Sequence, residues 1–165
     1  MIENSNKILT KDYSFKRIIR KILLLVARKT PLLPGEYRVR LVKWGGVNIK
    51  DYRKVFIGYD VAFDDLHPEL ISVGQGTIIT EGTKILSHFL DVSYNDYDHQ
   101  YVGEVRIGAN VFIGMNSVIV KPVTIGNGAV IGANSVINKD IPPYTIWGGN
   151  PIKFISERNI QIKER

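Results

Sequence analysis

Three histidines are the side chains best suited to move protons near neutral pH, and they are His67, His88 and His99. An imidazole has an ordinary pKa near 6.5, which suits a general base that takes a proton from a hydroxyl. The chain contains no cysteine, which excludes a thiol nucleophile, a disulfide framework and a Cys-ligated zinc. His88 opens a polar insertion at the end of an ordered repeat, which favours a functional role for it over a purely structural one.

The insertion that begins at His88 is polar and aromatic and extends to about residue 104. Four of its side chains are of the kinds that contact carbohydrates, although solvated loops often have the same composition. We predict a substrate-binding role for Tyr94, Asp96, Tyr97 and His99. His67 precedes Pro68 in a shorter irregular stretch, where we expect a structural role.

A six-residue repeat must position these side chains. Isoleucine falls on an unbroken grid at Ile107, Ile113, Ile119, Ile125, Ile131 and Ile137. A period of six matches neither the 3.6 residues of a helical turn nor a hairpin pattern, so it indicates a solenoid that turns the same corner every six residues. We therefore predict an all-β solenoid, a parallel β-helix of about five coils, with the isoleucines of successive coils stacked inside. Glycine after the inward isoleucine suits either a positive φ or a close backbone approach.

Two interruptions break the grid. Four extra residues fall between Phe63 and Val73, and 22 residues separate Ile85 from Ile107. An insertion that leaves a regular solenoid often carries function. We predict a short helix over the tail from about 153 to 165.

The basic charge belongs to the amino-terminal third of the 165 residues. Residues 1–54 carry 14 Lys and Arg against 4 Asp and Glu, whereas the rest carry 8 against 12. From Ser14 to about Lys29 the apolar residues recur at helical spacing, and we assign 1–33 to an amphipathic helical segment and 34–165 to the repeat domain. Such a helix covers its own domain or lies on an anionic membrane surface, and both alternatives stay open. No apolar run reaches the length of a membrane span.

The closing part of the repeat resembles the hexapeptide-repeat acyltransferases. The resemblance is carried by the run VRIGANVFIGMNSVIVKPVTIGNGAVIGANSVINKDIPPYTIWGGNPIKFI and by the upstream ILSHFLD. The chain is most similar to the branch of maltose and galactoside acetyltransferases and polysaccharide O-acetyltransferases. The resemblance implies a left-handed β-helix, a homotrimer with its active site between subunits, and acetyl transfer from acetyl-CoA to a sugar or glycan hydroxyl, with no metal expected.

The same resemblance assigns roles to single residues. It implies that His88 is the general base and that the backbone amide of Met115 faces the thioester carbonyl. It implies that a carboxylate assists the histidine, for which Asp64 and Asp65 are the candidates. The positions that line the CoA groove are Ala133, Asn138 and Lys139, and Lys153 is expected to meet a CoA phosphate. Trp147 stands where the family usually has a small aliphatic residue, so it either stacks on CoA or packs.

Two alternatives come from other functional classes. A zinc enzyme of the γ-carbonic-anhydrase type uses three histidines on a solenoid of this kind, and this chain has three, but His88 and His99 lie eleven residues apart. A non-catalytic scaffold on the same solenoid is the second. We expect no nucleic-acid partner, because no aromatic or Gly-rich motif accompanies the basic helix. We expect a cytoplasmic protein that reaches the inner face of the membrane through that helix.

Overall fold

A computed structural model describes residues 14–91, 93 and 100–159 of the chain. Its main body is a prism of three parallel sheets, through which the chain winds in four complete coils and a partial fifth. The first sheet contains β1 (Asn48–Ile49), β4 (Ile71–Val73), β9 (Val105–Ile107) and β12 (Thr124–Ile125). The parallel β-helix and its coil number are as the six-residue period predicts.

The other two faces are built in the same way. The second sheet contains β2 (Phe56–Ile57), β5 (Ile78–Ile79), β10 (Phe112–Ile113), β13 (Val130–Ile131), β15 (Thr145–Gly148) and β16 (Lys153–Glu157). The third contains β3 (Ala62–Phe63), β6 (Lys84–Ile85), β11 (Val118–Ile119) and β14 (Val136–Ile137). The insertion starts as an antiparallel hairpin of β7 (His88–Leu90) and β8 (Gln100–Val102).

The last residue of each strand from β1 to β6 and from β9 to β14 points into the prism and stacks on its counterpart one coil away. Ile107 pairs with Ile125, Ile113 with Ile131, and Ile119 with Ile137, as the repeat predicts. These side chains are buried and form three columns of like residues, one along each sheet. Each coil therefore contributes little core by itself, and the stacking of coils creates the interior.

At the corners of the prism, close backbone approach and positive φ occur at different residues, which the sequence alone did not decide. The glycine directly after the inward isoleucine is needed for close approach, since a methyl group at Gly114 would lie 2.4 Å from the Ala133 nitrogen. The positive φ falls two residues later, for example at Asn116 and Asn134. Asparagine tolerates this left-handed conformation better than most residues do.

Two helices precede the prism, α1 (Phe15–Lys29) and α2 (Gly35–Trp44), and they pack against each other. The sequence predicted α1, but it did not predict α2, whose residues were assigned to the repeat domain. Arg38 of α2 is buried and donates from its guanidinium to the carbonyl oxygens of Ala27, Thr30 and Ile57. The Arg38 side chain therefore connects both helices to β2 of the first coil through hydrogen bonds.

Helix α1 lies on the prism through its polar side. Lys21 pairs with Asp65 at 3.0 Å and Arg28 with Asp60 at 2.8 Å, while Leu24 is buried between them. The apolar side therefore points outward. Helix α1 thus packs on its own domain, which is one of the two alternatives. It does so through the side that carries Lys21 and Arg28 and not through its apolar side.

The tail after the last coil is a strand, so the predicted helix over 153–165 is wrong in its described part. β16 pairs antiparallel with β15 and closes the edge of the second sheet. An open sheet edge presents unpaired backbone groups, and pairing with a returning strand satisfies them. The residues beyond 159 lie outside the described part of the chain.

Candidate functional site

His88 lies against a buried carboxylate. Its Nδ1 is 2.5 Å from Oδ2 of Asp64, whose side chain is almost fully buried, whereas the imidazole remains partly exposed. The same Oδ2 accepts from the backbone N–H of Ser87 at 3.0 Å and from its hydroxyl at 2.7 Å. Oδ1 accepts from the backbone N–H of Leu66 at 2.9 Å. The carboxylate is thus held on both oxygens and can orient the imidazole in one position.

The electrostatics of this pair follow from that geometry. Burial by itself would raise the pKa of Asp64, but the hydrogen bonds from His88, from Ser87 and from the Leu66 amide outweigh it and hold that pKa well below its usual range. The hydrogen bond to Asp64 raises the pKa of His88, against a smaller opposing effect of burial. An ionised Asp64 accepts a hydrogen bond from the Nδ1–H group, which leaves the lone pair of a neutral imidazole on Nε2.

The stacking of two coils brings Asp64 and His88 together although 24 residues separate them. Phe63 and Ile85 are paired residues of β3 and β6, so the residues that follow them leave the prism at the same corner. The four extra residues of the earlier interruption lengthen this coil from 18 to 22 residues. They form a short 3₁₀ turn at Pro68–Leu70 and leave the register of the sheet intact.

Asp65, the second candidate partner, does not contact the imidazole. Its carboxylate pairs with Lys21 of α1 at 3.0 Å and is half exposed. Its charge adds a smaller contribution to the raised pKa of His88. The structure therefore brings Asp64 to the histidine and directs Asp65 toward the helix.

A cleft of about 380 Å³ opens beside His88. Its floor is the third sheet, with Phe63 and Lys84, and one wall is the inner side of α1, with Lys21, Leu24 and Arg28. Sequence reasoning missed this wall, and it also missed Ser87. The serine directly before His88 was the available signal, whereas nothing local to α1 indicated that it faces the histidine.

Met115 and Ala133 lie at a different corner from His88. They follow β10 and β13 between the second and third sheets, one coil apart, and the Asn134 amide donates to the Met115 carbonyl at 2.8 Å. The described residues of one chain therefore do not bring Met115 next to His88.

The remaining predicted cofactor residues lie near the open end of the prism. Lys153 begins β16 and pairs with Gly148, which is in register with Gly132, the residue directly before Ala133. Lys139 is exposed after β14, and the buried amide oxygen of Asn138 has no hydrogen-bond partner within the part of the chain that the structure describes. The cations suit anionic phosphates, and the amide oxygen can accept a hydrogen bond from a ligand.

The side chains of Tyr94, Asp96, Tyr97 and His99 lie outside the described residues, so their predicted role stays a prediction. At the base of their hairpin Phe89 stacks on Tyr101, with ring centroids 5.0 Å apart.

Two further side chains have structural partners. His67 directs Nδ1 toward Glu69 at 3.4 Å, as expected for a structural residue. Trp147 donates from Nε1 to the Thr145 hydroxyl and packs edge-on against Phe154. Across residues 14–91, 93 and 100–159, no three His or acidic side chains form a group that could hold a metal.

Comparison with known proteins identifies the family of the repeat. A family model described as "Bacterial transferase hexapeptide (six repeats)" matches residues 104–139. The Bacillus subtilis (strain 168) protein named "Putative acetyltransferase YvoF" is 31% identical over 92% of this chain and 83% of its own length.

Two solved acetyltransferases share the fold along most of the chain. A maltose O-acetyltransferase from Clostridium difficile 630 superposes with a TM-score of 0.64, 26% identity and coverage of 88% of this chain and 87% of that one. A galactoside acetyltransferase in complex with coenzyme A gives a TM-score of 0.63 at 25% identity, covering 90% of this chain and 86% of that one.

Proposed function

Because the chain belongs to the hexapeptide-repeat acetyltransferases, we propose that it transfers an acetyl group from acetyl-CoA to a hydroxyl of a sugar or glycan, with His88 as the general base. Membership also implies that the parallel β-helix is left-handed. The observation that carries the proposal is the contact between His88 and the buried Asp64 at the edge of an open cleft.

The reaction needs a single proton acceptor and no covalent enzyme intermediate. The acceptor hydroxyl gives its proton to Nε2 of His88 as its oxygen attacks the thioester carbonyl. The carbon–sulfur bond then breaks, and the departing thiolate takes the proton from the imidazolium to give free CoA. Asp64 holds the ring through Nδ1 and stabilises the positive charge that forms on it.

The oxyanion that forms during attack needs a hydrogen-bond donor, and we assign the backbone amide of Met115 to this role. Since His88 and Met115 lie at different corners of one prism, the two meet across subunits of a homotrimer. The outward residues of the second sheet support such an assembly, since they form an apolar ladder of Phe56, Ile78, Phe112, Val130 and Ile146. A ladder of this kind suits burial against a second copy.

Acetyl-CoA then extends along the corner of Met115 and Ala133 toward the open end. Ala133 leaves room for the pantetheine arm, and Asn138 offers its buried amide oxygen. Lys139 and Lys153 meet the phosphates of the nucleotide. The galactoside acetyltransferase of the same fold was crystallised with coenzyme A, which supports this choice of donor.

The acceptor enters the cleft between α1 and the third sheet. Tyr94, Asp96, Tyr97 and His99 of the insertion remain our candidates for binding it. We also propose that the protein is cytoplasmic and contacts the inner face of the membrane. No helix among the described residues is long and apolar enough to cross a bilayer.

An acceptor screen tests the proposed function. Purified protein is incubated with acetyl-CoA and a panel of sugars and oligosaccharides, and free thiol release is followed. We expect release that depends on the acceptor and falls by about 10²–10⁴-fold in His88→Ala, the usual contribution of a general base. The absence of CoA binding by calorimetry, or full activity in His88→Ala, would contradict the proposal.

A further inference from the structure

The outer side of helix α1 is apolar and uncovered within the described chain. Six of its side chains are between 42% and 77% exposed, namely Phe15, Ile18, Ile19, Ile22, Leu25 and Val26. They lie within about a third of the helix circumference at 100° per residue. Soluble proteins rarely leave so continuous an apolar strip in water, so the strip indicates a partner.

The charge pattern around this strip indicates the chemistry of that partner. The helix contains six Lys and Arg and no acidic residue. Lys16 is exposed at one border of the strip. Lys21 at the other border and Lys29 at the end of the helix also carry ammonium groups, which contact Asp65 and Asp60 on their inner side. Cations at the borders of an apolar strip match a phospholipid surface, because the alkyl chains pack beside the strip while the ammonium groups reach anionic headgroups.

The apolar strip could instead pack against a second copy of the chain. The prism already carries a separate apolar ladder for that purpose on the second sheet, whereas α1 contacts β3 of the third sheet. Basic residues at the border of the strip, such as Lys16, would also repel their counterparts on a second copy. Both observations favour a lipid surface over a second protein surface.

We propose that α1 docks the protein on an anionic membrane, with its outer apolar strip between the headgroups. The inner side of the same helix is a wall of the His88 cleft, through Lys21, Leu24 and Arg28. Docking therefore holds the cleft about one helix diameter, roughly 10 Å, from the lipid. Where the proposed acetyl transfer applies, this geometry favours acceptors that are carried on a lipid.

Vesicle co-sedimentation of the intact protein tests the docking without any measurement of activity. The probes are phosphatidylcholine vesicles and the same vesicles with added phosphatidylglycerol, at low and high salt. We expect binding to the anionic vesicles at low salt and weaker binding to the neutral ones. Ile22→Ser should weaken the binding at least about tenfold, since a buried isoleucine contributes that much or more. Lys16→Glu, which leaves the strip intact, should also weaken it.

Ile155→Ser is the matched control, because Ile155 is 61% exposed against 52% for Ile22 and lies on β16. It should bind vesicles as the unchanged protein does. Failure of the intact protein to bind anionic vesicles overturns the proposal, as does equal loss in Ile22→Ser and Ile155→Ser. Dissociation of the oligomer by Ile18→Ser/Ile22→Ser also overturns it, because the strip would then be an interface between copies. None of these results affects the acceptor screen, so the two proposals fail separately.

Discussion

His88 and Asp64 form a coupled pair whose titration should be visible in the activity. As the proposed base, His88 must be neutral to accept a proton, and contact with Asp64 raises its pKa. We therefore expect kcat/KM to rise with pH through an apparent pKa above the usual 6.5 of the group. A pH–rate profile measures it. An acidic limb at or below 6.5 would contradict the assigned role of the Asp64 contact.

Asp64→Asn separates the two effects of the carboxylate. Loss of the negative charge should move the acidic limb to lower pH, while kcat falls because the amide no longer fixes the proton on Nδ1. Asp65→Asn is the matched control, since Asp65 pairs with Lys21 and should change both quantities far less.

The same pair should make stability depend on pH in a defined direction. The raised pKa of His88 means that its contribution is complete below 6.5 and is lost as the pH rises through the folded-state value. The lowered pKa of Asp64 means that its contribution is present above 3.8 and is lost as the pH falls through the folded-state value. The difference in the free energy of unfolding between the unchanged protein and Asp64→Asn should therefore be largest between pH 3.8 and 6.5. Denaturant titrations across this range measure it.

At the scale of the element, the inward isoleucine columns should dominate the stability of the prism. Ile113 is fully buried between Ile79 and Ile131, so Ile113→Ala should lower the free energy of unfolding by about 2–5 kcal/mol. Thr124→Ala, which changes an outward and exposed residue of β12, should stay within about 0.5 kcal/mol. Urea titration followed by circular dichroism compares them, and equal losses would contradict the packing.

The attachment of the two helices depends on Arg38. Its buried guanidinium donates to three carbonyl oxygens, and Arg38→Met leaves these acceptors without donors, at a cost of about 1–3 kcal/mol for each buried group that stays unsatisfied. We expect early loss of helical signal and rapid amide exchange in α1 and α2, with the prism retained. Arg53→Met, at an exposed side chain, is the control and should leave both signals unchanged. Full amide protection of α1 in Arg38→Met would show that other contacts attach the helix.

At the scale of the whole molecule, the ladder on the second sheet should decide assembly and activity together. Phe112→Asp introduces a charge at the middle of that ladder, where it would be desolvated in an interface. We expect the proposed trimer to dissociate and acetyl transfer to be lost, while the melting temperature of the prism changes little. Light scattering and the thiol assay measure the two. A trimer that persists, or activity in a monomer, would contradict a site shared between subunits.

The sequence by itself determined the solenoid, the pairing of Ile107 with Ile125, and the place where His88 leaves the repeat. It could do so because a strict six-residue period requires the same corner at each repeat, which sets the inward positions and their register. The 24 residues from Asp64 to His88 are the 22 residues of the lengthened coil plus two further positions past the corner.

Only the tertiary structure decided which carboxylate meets the imidazole, since Asp64 and Asp65 are adjacent and differ only in the direction they leave the corner. It also decided that α1 turns its polar side to the prism, that α2 forms, and that the tail returns as β16. Each of these depends on contacts between residues far apart in the chain, such as Lys21 with Asp65 or Arg38 with Ile57. Local periodicity indicates which residues lie on the same face of a helix or strand. Which element packs against that face depends on residues far away in the chain.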